Sequence, residues 1–140
     1  MGEIAELITG GVLCEQCGRV VDGEARGHVR VCRECRDAEQ REIRDAGAAR
    51  ARRWREQFDQ AEALAAGAGL RLRRSTDEHY QLTPLGGGWL LNLYPRSGKR
   101  KPRVYRDTNL ARAPYLAMRE RWDLIDAIRA AVRTTRRRPQ

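Results

Sequence analysis

Aromatic residues are scarce: one phenylalanine, three tryptophans and four tyrosines make up 6% of the 140 residues. That scarcity excludes a large aromatic core, although an apolar content of 41% still suits a folded chain. No stretch approaches the roughly 20 apolar residues of a membrane span. Residues 1–13 mix Glu3 and Glu6 with Gly10 and Gly11 and have neither a basic start nor a long apolar run, so no secretory leader is expected. A cytoplasmic location is expected, where thiols stay reduced and cysteines serve as metal ligands more readily than as disulfides. Histidine occurs only as His28 and His79, and no GxSxG, P-loop or HExxH pattern is present. The expectation is a binding protein, not an enzyme, with no small-molecule substrate and no membrane partner. Asp77, Glu78 and His79 have the chemistry of a nuclease metal site, but three adjacent polar residues between strand-like runs are ordinary turn composition.

Cysteine is absent after residue 35, so all four thiols belong to one arrangement: Cys14-Glu-Gln-Cys17 and Cys32-Arg-Glu-Cys35. Two CxxC pairs suit one tetrahedral Zn²⁺, each pair forming a tight knuckle with sulfurs about 2.3 Å from the metal. Gly18 follows the first pair, where a knuckle favours positive φ. Four thiolates close the coordination sphere, which predicts one structural zinc with no open position for catalysis. An iron–sulfur cluster also uses four cysteines, but the symmetric pairs favour zinc. A redox CxxC sits beside a βαβ pattern that is missing here. His28, between the pairs, is a spare ligand candidate that four cysteines make unnecessary.

The run Leu7-Ile8-Thr9-Gly10-Gly11-Val12-Leu13-Cys14-Glu15-Gln16-Cys17-Gly18, with Asp22-Gly23-Glu24, Gly27, Arg30 and Cys32 to Cys35, resembles the small four-cysteine zinc-ribbon proteins of tailed phages and prophages. The resemblance covers residues 7–38 and implies a genomic context more than a mechanism. Arg33-Glu34-Cys35-Arg36-Asp37-Ala38 leading into a helix is more distantly similar to the zinc finger of the DksA/TraR class of transcription factors, which bind RNA polymerase in its secondary channel. The chain departs from that class in its shorter inter-pair loop and in the lack of an acidic coiled-coil tip before the finger.

Charge is unevenly placed. Residues 1–36 carry five basic and six acidic groups, and residues 37–69 carry six and seven, each net −1. Residues 70–113 carry ten and three, net +7, and residues 114–140 carry seven and three, net +4. Arginine supplies 26 of the 28 basic groups. A GC-rich genome accounts for arginine over lysine, but not for the gathering of positive charge in the second half.

Periodicity organises the chain as an α+β protein: a cysteine module (1–36), a helical connector (37–69), a basic antiparallel-sheet and helix domain (70–133), and a disordered basic tail (134–140). Over residues 37–66 good helix formers dominate, with Trp54, Phe58, Ala61, Leu64 and Ala65 on one stripe; Gly47 is a candidate break and Gly67 and Gly69 a stop. From Leu70 the period becomes two. Leu70 and Leu72 alternate with Arg71 and Arg73, followed by runs around Tyr80–Leu82, Trp89–Leu93 and Val104, separated by turn residues. This predicts a meander of three or four strands with one face under two helices and the opposite face carrying Arg71 and Arg73. Pro114 is expected to open a last helix over residues 114–132, with Leu124, Ile125, Ile128, Ala131 and Val132 on its apolar face.

The basic half points to phosphate. Arg71, Arg73, Arg96, Lys99, Arg100, Lys101, Arg103 and Tyr105 are the candidate nucleic-acid contacts, five of them in or beside one turn. Trp89, Tyr94 and Tyr105 lie near these cations in sequence, as single-strand stacking requires. The expected partner is DNA or RNA. The alternatives are a solvated turn beside a core tryptophan, or a protein-interaction factor that inhibits or adapts a host nucleic-acid machine such as RNA polymerase or a defence effector.

Overall fold

The computed structural model describes residues 2–21, 27, 29–97, 99–106 and 113–137. The chain divides into two compact units, Met1–Glu42 and Ile43–Gln140. His28 and residues 138–140 lie outside the described residues.

The first unit opens with helix α1 (Gly2–Thr9), an element beyond those that periodicity predicts. Its end is chemically defined. The Val12 N–H donates to the Leu7 carbonyl (2.8 Å) and the Gly11 N–H to that of Ile8 (3.1 Å), with Gly11 at φ +80°. This is a Schellman stop, and the left-handed position it needs is occupied by the one residue type without a Cβ penalty.

Helix α2 (Arg33–Gly67) starts at the second cysteine pair, earlier than the expected residue 37, and runs unbroken through Gly47. Gly47 is buried because a side chain from elsewhere lies on it: a Cβ there would sit 3.4 Å from Cγ of Arg96. Ala51, Trp54, Ala61 and Ala65 form the buried stripe, with Phe58 partly buried. Leu64, expected on that stripe, is exposed, because the helix turns it away from the Ala61–Ala65 line.

In the second unit four strands follow: β1 (Leu70–Thr76), β2 (His79–Pro84), β3 (Leu91–Tyr94) and β4 (Arg103–Arg106). They pair antiparallel in the order β1-β2-β3-β4, a meander. Alternation divides the sheet cleanly. Leu70, Leu72, Tyr80, Leu82, Leu91 and Leu93 are buried in one core with Trp54, Ala61 and Ala65 of α2. Each leucine so buried contributes about 2 kcal/mol relative to exposure. Trp89, which the sequence set among the nucleic-acid aromatics, belongs to this core.

The last helix, α3 (Leu124–Arg137), begins ten residues later than Pro114 suggested and takes in residues 134–137, which composition had assigned to a disordered tail. The intervening segment forms no helix, and burial alternates along it: Pro114, Leu116 and Met118 are buried while Tyr115 and Ala117 are exposed. The helix start is set by Asp123 and Asp126. The Asp123 N–H donates to Asp126 Oδ2 (2.9 Å), and the Asp123 carbonyl accepts the Ala127 N–H (3.2 Å). Asp123 also pairs with Arg53 Nε (3.0 Å) and accepts from Gln57 Nε2 (3.2 Å), tying α3 to α2. Leu124, Ala127, Ile128 and Ala131 complete the core at i, i+3, i+4 and i+7.

Candidate metal centre and basic sheet face

Cys14, Cys17, Cys32 and Cys35 place their four sulfurs within 4.8 Å of one another. The Cys17 and Cys32 sulfurs are 3.6 Å apart, far beyond a disulfide bond of about 2.05 Å. That spacing matches the ~3.8 Å edge of a tetrahedron with metal–sulfur bonds of about 2.3 Å. The two pairs are built differently. The first is a knuckle: the chain reverses between bridged Leu13 and Val20, with Gly18 at φ +76° donating its N–H to the Cys14 carbonyl (3.0 Å). The second, expected as another knuckle, is the first turn of α2. Cys32 is the residue before the helix, and its sulfur accepts the Cys35 N–H (3.4 Å). A candidate ligand therefore also caps the helix, and the positive N-terminal end of the helix favours a thiolate there.

The Cys14 sulfur accepts N–H groups from Cys32 (3.2 Å) and Gln16 (3.3 Å). These hold its thiol down to about 6, the Cys32 amide most strongly. Cys35 is pushed up to about 12, first by its hydrogen bond with the Cys32 side chain and then by that with Cys17. Outside the ligand set, Arg19 pairs with Glu34 and Arg30 Nε donates to the Gly11 carbonyl (2.8 Å), linking hairpin, α1 end and helix start. Thiolates that converge and receive backbone N–H groups fit a single metal ion.

In the second unit the strand register resolves the basic candidates. Arg73, Gln81, Asn92 and Tyr105 are paired partners in sequence across all four strands, forming one row on the outer face. Arg71 pairs with Thr83 on the same side, and Tyr94 with Arg103. Arg71, Arg73, Arg103 and Tyr105 thus share a surface although they sit on opposite edge strands. Among the described residues neither Arg71 nor Arg73 has an acidic partner.

The turn candidates divide. Lys99 and Lys101 are exposed, in a β3–β4 turn tied by Ser97, whose Oγ donates to the Lys101 carbonyl (2.5 Å) and accepts the Lys99 N–H (3.3 Å). Arg96 lays its stem on Gly47 and pairs through Nε with Glu78 (2.8 Å), a structural engagement. Arg100 gives its carbonyl to the buried Arg50 (2.5 Å) while its side chain is exposed.

The sequence reading did not set His79, Gln81 and Asn92 beside the cations, nor Arg50 beneath the turn. The first three were findable from alternation, since the residues between inward Tyr80, Leu82, Leu91 and Leu93 must point outward. The trio Asp77, Glu78 and His79 is engaged elsewhere: Asp77 lies 3.9 Å from Arg55, Glu78 pairs with Arg96, and His79 Nε2 is 2.8 Å from Asn92 Oδ1. Among the described residues no helix is long and apolar enough to cross a membrane.

No family model matches the chain, and no curated protein or solved structure matches it.

Proposed function

We propose that the protein is a small zinc-binding accessory protein that binds nucleic acid through the outer face of its sheet, without catalysing a reaction. Zinc is favoured over an iron–sulfur cluster because sulfurs within 4.8 Å of one another suit one ion, whereas a cluster spreads its thiolates over separate irons. The metal shapes the N-terminal unit, which has too little apolar surface to fold on a core of its own. A phage or prophage origin rests on the likeness of residues 7–38 alone.

The observation that carries the nucleic-acid reading is the shared face of Arg71, Arg73, Arg103 and Tyr105. A sheet with one face under helices leaves the other open, and here the open side carries unpaired guanidinium groups, which bind phosphate oxygens bidentately. Lys99 and Lys101 extend that field beyond the sheet. The test is fluorescence anisotropy with labelled oligonucleotides at rising salt. Binding should weaken linearly on a log–log plot, and Arg71→Gln with Arg73→Gln should lower the slope by about one per contact removed. No binding at low salt overturns the reading.

A protein-interaction role is the second reading, and one observation favours it. In the first unit Val20 (71% exposed) and Val29 (43% exposed) line a groove of about 1000 Å³ with Val21 and Val31. Valines set among Arg33, Glu34 and Asp37 offer a protein partner both packing and ion pairing. A stoichiometric host protein that co-purifies after nuclease treatment supports this reading, and its loss on nuclease treatment supports the first.

A further inference from the structure

We propose that the nucleic acid held on the sheet face is single-stranded, with its bases stacked on the aromatic side chains of His79, Tyr94 and Tyr105; this inference rests on the nucleic-acid reading above.

The three rings form one assembly. His79 and Tyr94 stack face to face, with centroids 4.7 Å apart and planes 4° from parallel. Tyr94 meets Tyr105 edge-on at 5.9 Å, and the Arg103 guanidinium lies 5.4 Å from the centre of the Tyr105 ring. Strand parity puts all of them on the side away from the core, and Tyr105 remains 49% exposed. Cross-strand aromatic pairs stabilise sheets by themselves. That account does not explain why the assembly is set on the uncovered face, among cations and amides, rather than under the helices with Trp54 and Tyr80.

The neighbours have the chemistry a base requires. Asn92 Oδ1 accepts from Gln81 Nε2 (3.2 Å) and lies 2.8 Å from His79 Nε2, so the side-chain carbonyl is engaged. Among the described residues the Asn92 amide nitrogen has no hydrogen-bond partner. An amide donor next to an aromatic platform can meet the edge of a stacked base, while Arg71 and Arg73 on one edge strand and Arg103 on the other face the sugar–phosphate chain.

A duplex cannot use these groups in the same way. Its bases are already stacked on one another, and only phosphates and groove edges reach a flat sheet. Exposed rings therefore add affinity only where bases are unpaired, whereas the arginines add it for either form.

The experiment compares labelled single-stranded dT and rU 12-mers with a 12-base-pair duplex, using the full-length, metal-loaded protein. The single strands should bind at least ~10-fold tighter than the duplex at equal salt. Tyr105→Ala should weaken single-strand binding on the order of 10-fold, weaken duplex binding far less, and be rescued by Tyr105→Phe. Melting curves of each variant separate stacking from stability, since Tyr105 is half-exposed on an edge strand. Equal affinity for both forms, with Tyr105→Ala and Tyr94→Ala leaving the ratio unchanged, overturns single-strand stacking and leaves phosphate binding standing. Failure of every probe to bind at low salt overturns both. A preference between dT and rU assigns the sugar.

Discussion

The guanidinium of Arg50, only 3% exposed, donates through Nη1 to the carbonyl oxygen of Pro95 at 2.9 Å. Its Nη2 donates to the carbonyls of Arg100 (2.5 Å) and Glu120 (3.0 Å). One helical side chain thus gathers the end of β3, the turn after it and the segment before α3. Burial pulls its pKa below the ordinary arginine value, yet three carbonyl dipoles keep the cation solvated by protein. Arg50→Leu should destabilise the protein by about 3–5 kcal/mol, because it strands three inward-facing carbonyls. Chemical denaturation measures the loss, and metal content should stay at the wild-type value.

At the cysteine centre one equivalent of zinc is expected by elemental analysis, and Cys14→Ser should abolish it. The two shifted thiols set the pH dependence. Cys14, lowered to about 6, is already a thiolate at neutral pH and regains its proton only as pH falls through that value. Cys35, raised to about 12, still carries its proton at neutral pH, so metal must displace it. Metal uptake near pH 7 should therefore release protons from the thiols that still carry them, Cys35 among them. Affinity should rise with pH above neutrality and fall more steeply below about pH 6. Calorimetry in buffers of different ionisation enthalpy counts the protons, and chelator competition gives the affinity.

Gly47 is a helical glycine held only by contact with the Arg96 stem. A methyl group there meets Arg96 Cγ at 3.4 Å, an ordinary van der Waals distance. Gly47→Ala should stabilise the protein by about 0.5–1 kcal/mol, the usual gain for replacing an interior helical glycine. Gly47→Leu should displace Arg96 from Glu78 and remove that gain. Thermal melts of the two variants decide it.

The cysteine cluster was legible because ligand spacing is local in sequence: each CxxC pair brings two sulfurs together whatever the rest of the chain does. The outer-face positions of Arg71 and Arg73 were legible for a similar reason, since alternation with Leu70 and Leu72 needs no knowledge of partners. What Arg73 stands next to was not legible, because the row through Gln81 and Asn92 to Tyr105 depends on register, which turn lengths decide. Arg50 was invisible among the exposed arginines of α2, since its three acceptors lie 45, 50 and 70 residues away. Pro114 misled because proline suits both the first turn of a helix and an extended segment. The buried alternation of Leu116 and Met118 selected the latter. Helix α1 was hard to read because its apolar stripe, Ile4, Leu7 and Ile8, is little more than one turn long.

The meander assigns every position to one of two sides by parity, and its two sides answer to different demands. Replacing Gln81, Asn92 or Tyr105 alters what the open side can grip without touching the leucines that decide whether the chain folds. On the proposed nucleic-acid role, binding preference and foldability would be encoded at interleaved positions of the same four short strands. A library confined to the even-handed row from Arg73 to Tyr105 can retune the ligand while the melting temperature stays near its starting point.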